Sequence, residues 1–191
     1  MPRLLLIRHG PSAHPAPPGW LDLAGVERYL ADYDAAGILD DVPPPAVVQE
    51  VAAARLVVAS DLPRAIASAE RLAGRAPEVV SPLLRETRLR VPSWAPRRAP
   101  LAVWATVMHL SWLLDRFRGV HGPPDARERA RLAAAWCGEQ CREPDGAVAV
   151  VTHGIFRLLL ARELVAAGWR AAPGRQSYAN WSVWRFDLDP R

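Results

Sequence analysis

The chain has 191 residues, with 24 basic against 20 acidic side chains and a formal charge of +4; every basic residue is an arginine. Half the residues are hydrophobic and 23% are charged, which excludes a disordered or low-complexity chain and suffices for one domain with a buried core. No apolar run reaches the roughly 20 residues of a bilayer span. Leu4-Leu5-Leu6-Ile7 is too short for a secretory core, so a cytoplasmic protein without a membrane partner is expected. The arginines are scattered among acids, as in Arg127-Glu128-Arg129, with no base-stacking stripe, so no nucleic-acid partner is expected either. Cys137 and Cys141 lie one helical turn apart with no second pair, and read as reduced thiols.

In chain order, Arg3 to Ile7 is a buried first strand, ending at Arg8-His9-Gly10. After a proline-rich loop, Asp22 caps a helix to about Ala36, with Leu23, Val26, Leu30 and Tyr33 on its inner face. Pro43-Pro44-Pro45 breaks the chain before a short helix at about Ala46 to Ala53 and a second strand, Arg55 to Ala59. Ser60-Asp61-Leu62-Pro63 signals a helix start, with capping oxygens and a first-turn proline; that helix stops at Gly74. Glu78 to Ser81 is a third strand.

The stretch Thr87 to Pro100 is irregular, and Leu101 to Arg118 is a helix apolar nearly all round from 101 to 114. Trp94, Trp104 and Trp112 are expected to pack. Asp125 with Glu128 forms a capping pair for a helix to about Cys141. Ala147 to Val151 is a fourth strand, ending at Thr152-His153-Gly154. A helix to about Ala167 and a last strand near Trp181 to Phe186 follow. Strands alternating with helices predict an α/β three-layer sandwich with a largely parallel central sheet flanked by helices. One domain spans 1–191, with an insertion at about 87–122 that is a candidate cap over the strand ends.

Three polar clusters stand directly after buried strands: Arg8-His9-Gly10, Ser60-Asp61-Leu62-Pro63-Arg64, and His153-Gly154. In open α/β sheets the carboxyl ends of the strands are where ligands bind, so these segments are expected to converge. His121-Gly122 follows a helix rather than a strand and is assigned no role. Together with Leu84-Arg85-Glu86, the clusters resemble, in order and from end to end, the motifs of the histidine phosphatase (phosphoglycerate mutase-like) superfamily. The resemblance implies a phosphoglycerate mutase-like fold and catalysis through a phosphohistidine on His9. It carries Arg8, Arg64 and His153 over to a phosphate pocket and Glu86 to the proton donor. It makes Gly10, Ser12 and Gly154 further phosphate contacts, and implies no metal and no cofactor.

Those residue types suit phosphoryl transfer, which needs positioning and charge neutralisation more than covalent help. A neutral imidazole is a nucleophile at pH 7 when its other nitrogen donates to a fixed acceptor, such as a backbone carbonyl. The second histidine, cationic beside a phosphate dianion, stabilises charge. The helix starts after Ser60 and Gly154 are expected to add backbone N–H donors.

Pro11 stands where relatives carry glutamate or glutamine, and Pro15, Pro17 and Pro18 fill a loop that in relatives often holds a polar asparagine. These departures and the modest insertion favour a phosphatase over a phosphoglycerate mutase-type phosphoryl transferase. A phosphohistidine-protein phosphatase and a non-catalytic partner-binding protein on the same fold are the other readings. The expected partner is a small phosphorylated metabolite, selected by Arg88, Arg90, Arg97 or Arg98. The apolar helix 101–114 is a candidate homodimer face.

Overall fold

The computed structural model describes residues 2–117, 124–141, 146–174 and 176–188. The chain opens with β1 (Arg3–Arg8), whose four residues Leu4 to Ile7 are all buried. Burying such a side chain is worth about 1.5–3 kcal/mol, so a strand apolar on both faces belongs inside a sheet and not at its edge. There follow β2 (Trp20–Leu21), α1 (Leu23–Ala35), α2 (Pro45–Ala52), β3 (Leu56–Ser60), α3 (Pro63–Ala73), β4 (Val79–Ser81), β5 (Ala99–Pro100) and α4 (Leu101–Phe117). The described chain continues with α5 (Pro124–Gln140), β6 (Ala147–Thr152), α6 (Gly154–Ala166), β7 (Arg170–Ala171) and β8 (Val183–Asp187).

Six strands form one mixed sheet in the order β4-β3-β6-β1-β8-β7. The neighbours β4, β3, β6 and β1 run parallel, and β8 and β7 add antiparallel pairings at one side. Alternation along the strands divides the core in two. Leu4, Leu6, Val58, Val148 and Val150 face α5 and α6, meeting Ala130, Phe156 and Leu160. Leu5, Ile7, Val57, Ala59, Ala149 and Val151 face α2 and α3, meeting Val51, Ala65 and Leu72. A third cluster of Val26, Ala99, Trp104 and Met108 joins α1 to α4, and the pairing of β2 with β5 closes it.

The expected sandwich is present, with local differences that have physical causes. Asp22 caps α1 by accepting from Gly25 N at 2.8 Å. Of the face expected to be inward, only Val26 is fully buried, and Leu23 and Leu30 are exposed, because α1 packs on the small third cluster and not on the sheet. The start of α3 has no side-chain cap: Leu62 is the capping residue, and Pro63 at the first helical position needs no acceptor for its nitrogen. Asp61 instead pairs with Arg85 at 2.7 Å. Two-residue strands such as β2, β5 and β7 are too short for a periodicity to reveal. Trp104 is buried and donates to the Leu21 carbonyl, whereas Trp94 stands exposed at the tip of the 87–100 stretch. The inner row of α4 is Trp104 and Met108; Val103, Leu110, Leu113 and Leu114 face outward. Asp125 of the expected capping pair and His121-Gly122 lie outside the described side chains. No helix among the described residues is long and apolar enough to cross a membrane.

Candidate active site

The strand ends bring the predicted residues to one place. His9 leaves β1 and His153 leaves β6, two adjacent parallel strands, so their rings lie 5.0 Å apart between centroids. Both are buried, at 3% and 0% exposure. His9 Nδ1 stands 2.6 Å from the Gly10 carbonyl, which only accepts, so Nδ1 carries the proton and Nε2 keeps its lone pair. Burial pushes His9 down to about 3, against the pull of the Gly10 carbonyl, and Arg64, Arg8 and Arg157 push further in the same direction. His153 Nε2 hydrogen-bonds Ser60 Oγ at 2.9 Å, from the end of β3. Burial, then His9 and the guanidinium groups of Arg64 and Arg8, hold His153 well below its ordinary range. Both imidazoles are therefore neutral at pH 7. The cationic state expected of His153 needs a bound anion.

Arg64, in the first turn of α3, is buried; its Nη1 donates to the Tyr33 carbonyl and its Nη2 meets Asp34. Arg8 donates through Nη1 to the Tyr178 carbonyl, and its guanidinium lies against Gly154. A third guanidinium, absent from the sequence reading, is Arg157, four residues after His153 on α6. It is fully buried over the Trp184 ring at 4.0 Å and donates to Ser182 O at 2.8 Å and Ser177 O at 3.0 Å. Burial, then Arg8, lowers it to about 10.

Among the described residues, five buried side-chain polar atoms have no hydrogen-bond partner: Arg8 Nε, Arg64 Nε, Arg157 Nε, His153 Nδ1 and Thr87 Oγ1. Leaving such a group unpaired costs about 1–3 kcal/mol, and native structures hold few of them. Four belong to the nitrogen bases around His9, and the fifth follows Glu86. This concentration leaves unmet hydrogen-bonding capacity beside His9.

Glu86 is bound to the same corner. Its Oε1 accepts from Thr87 N at 2.9 Å and Phe156 N at 2.8 Å, and its Oε2 from Ile155 N at 3.3 Å. The carboxylate thus caps α6, where the helix dipole also favours it. The N–H groups after Gly154 that were expected to meet a ligand are consequently occupied by Glu86. Gly10 N is occupied as well, donating to Ser68 Oγ at 2.8 Å, and Ser12 Oγ accepts from His14 N within its own loop. A Cβ on Gly10 would meet the Trp181 ring at 2.2 Å, so glycine is required there by packing. Arg88, Arg90, Arg97 and Arg98 are all exposed. Arg97 lines a cleft of about 520 Å³ with Asp22, Leu23 and Trp104, and Arg98 lies beside Trp20.

The segment from Ser177 to Ser182 forms a wall that sequence reasoning missed. Asn180 Nδ2 donates to the His9 carbonyl at 2.8 Å, Trp181 N donates to Arg8 O, and Arg8 N donates to Ser182 O. Trp181 holds a left-handed backbone at φ 61°, a conformation rare for a bulky residue, with its Nε1 donating to Asp41. The only sequence signal for any of this was Arg157, one helical turn beyond His153 and so on the same helix face.

The geometry defines an α/β protein with paired histidines and three guanidinium groups at the carboxyl ends of parallel strands. A family model of the histidine phosphatase superfamily (branch 1) matches residues 45–191, and the chain belongs to that family. Arg8-His9-Gly10 precedes the matched stretch, and the fold brings it to the matched part of the site through β1. Mycobacterial hydrolase 1 is similar in fold, at 21% identity over 98% of each chain with a TM-score of 0.55. So is a phosphoserine phosphatase from Entamoeba histolytica solved with 3-phosphoglyceric acid, at 18% identity over 87% of this chain and 81% of that one, with a TM-score of 0.52. No curated protein matches the chain significantly.

Proposed function

We propose that the protein is a phosphatase that hydrolyses phosphate monoesters through a phosphohistidine on His9, with no metal required. The concentration of orphaned nitrogens on Arg8, Arg64, Arg157 and His153 around the His9 ring is the observation that carries this reading. A phosphoryl group seated there would satisfy those donors while the guanidinium charges spread over its oxygens. The lone pair on His9 Nε2 attacks phosphorus, and the P–O bond to the leaving alkoxide breaks. Glu86 gives that oxygen a proton. Oε2 is the atom suited to carry it, because its bond from Ile155 N is the longest of the three and Oε1 keeps the capping bonds. Water then attacks the phosphohistidine, its proton passes to Glu86, the P–N bond breaks, and phosphate leaves. His153 takes up a proton as the dianion binds and holds charge on the transferring group.

The chain's own departures from mutases, with Pro11 after the first motif and no elaborate cap among the described residues, favour water over a second alcohol as acceptor. The test is a monoester panel in chelator with wild type and His9→Ala, together with trapping of an acid-labile phosphoenzyme. Metal-independent turnover and labelling are expected in the wild type, both lost in the variant. A His9→Ala protein with full turnover would overturn the proposal.

A further inference from the structure

Arg64, which faces His9 and His153, is gripped from the side of α1. Its Nη1 donates to Tyr33 O at 2.9 Å, its Cζ lies 4.5 Å from the centre of the Tyr33 ring, and its Nη2 stands 3.1 Å from Asp34 Oδ1. Its Nε is buried without a partner. The ion pair has a dry end and a wet end: the Arg64 side chain is 1% exposed and the Asp34 side chain 35%. The other carboxylate at this rim, Asp61, is already paired with Arg85 at 2.7 Å. Asp34 is thus the negative charge attached directly to a guanidinium of the phosphate pocket.

We infer that Asp34 sets the affinity of the site for dianionic phosphate, weakening it from across Arg64; this rests on the phosphatase reading. Two binding geometries are open to the anion, and both give the same sign. A phosphate held by Arg64 Nε leaves the ion pair intact, so carboxylate and dianion repel across one guanidinium. A phosphate that takes Nη2 must first break the Asp34 bond. In either case the carboxylate opposes the phosphoryl group of the substrate and, equally, the product. Three guanidinium groups with no such opponent would hold free phosphate tightly and slow its release. Asp34 offsets part of that charge, and the joint to α1 makes the grip on phosphate depend on where α1 sits.

Asp34→Asn isolates the effect, because the amide oxygen still accepts from Arg64 Nη2 while the charge is gone. Calorimetric titration with inorganic phosphate at fixed pH and ionic strength should show about three- to tenfold tighter binding in Asp34→Asn, the range expected for a half-screened charge. The KM for a monoester and the inhibition constant of phosphate should fall together by that factor. Asp34→Ser, a second variant that removes the charge at a partly exposed helix position, should tighten binding likewise, and Asp34→Glu should stay within about twofold of wild type. Phosphate affinity equal to or weaker than wild type in both charge-removing variants would overturn the inference while leaving the phosphatase reading intact. A wild type that neither binds phosphate nor turns over monoesters would overturn both.

Discussion

His9 and His153 meet as two neutral rings in a pocket whose other charged groups are mostly cations, and this has consequences that titration can read. Unfolded histidine takes up a proton near pH 6.5, whereas His9 in the fold resists protonation down to about 3 and His153 is displaced in the same direction. Between those limits the unfolded chain binds more protons, so stability is fully present above about pH 6.5 and is lost as pH falls. Melting followed from pH 7 to pH 4 should lose up to about 1.4 kcal/mol per pH unit for each histidine, and His9→Gln should remove one share of that slope. Phosphate reverses the electrostatics at His153. Titration with sulfate, a dianion with no proton of its own to lose at this pH, in buffers of different ionisation enthalpy should therefore report net proton uptake near pH 6.5, and its absence would mean that His153 stays neutral in the complex. Glu86→Gln keeps the Oε1 bonds that cap α6 and removes the proton that the proposed mechanism transfers. Alkyl phosphates should slow by about 10²–10⁴-fold while activated aryl phosphates lose far less, measured as kcat ratios. At this scale the residues that converge were legible in the sequence, as with Arg8, His9, Arg64 and His153. Arg157 and Asn180 were not, because neither lies in a motif and their contacts run to carbonyls of distant segments.

Elements were legible in proportion to their apolar content. β1, β3 and β6 lie where their leucine and valine runs predict, because both faces of those strands are covered. The Ser177–Ser182 segment is polar and irregular, and it became part of the site only through the antiparallel pairing of β8 with β1, which no local pattern encodes. Its fit against the loop after β1 is tight enough to test. Gly10→Ala places a methyl inside the Trp181 ring, and packing offers no relief unless one of the two moves. A loss of about 1–3 kcal/mol in denaturant melts is expected, together with a fall in kcat, because the shifted loop carries His9. Replacing Trp181 by Leu in the same chain should recover part of the stability. If Gly10→Ala melted and turned over as wild type, the close approach would have no consequence.

The whole molecule is a sheet with two covered faces plus a smaller cluster, and these should not be equally robust. Val26, Ala99, Trp104 and Met108 join α1 and α4 without using a residue of the main sheet. Trp104→Ala should open that cluster, at a local cost of about 3–5 kcal/mol, seen as faster hydrogen exchange in 23–35 and 99–114. β1, β3 and β6 should keep their protection. If the exchange of the sheet rose equally, the two parts would be one cooperative unit. The insertion also bears Arg88, Arg90, Arg97 and Arg98, which all stand at the surface. Alanine at each should change relative rates across a panel of anionic and neutral monoesters if they select substrate; unchanged ratios would remove that role. The composition foretold a single core, and the satellite cluster was hidden because two strands of two residues and a half-exposed α1 leave almost no periodic trace.

The pairing of β1 with both β6 and β8 fixes when, during synthesis, the candidate site is assembled. His9 directly follows β1, yet the strands that pair with β1 are residues 147–152 and 183–187, synthesised much later than β1. Until the latter emerge, Arg8 lacks the Tyr178 carbonyl, His9 lacks the Asn180 brace, and an apolar strand with no finished partner must be kept from sticking to other chains. The candidate site is therefore incomplete in a partly made chain and closes only once β8 has been translated.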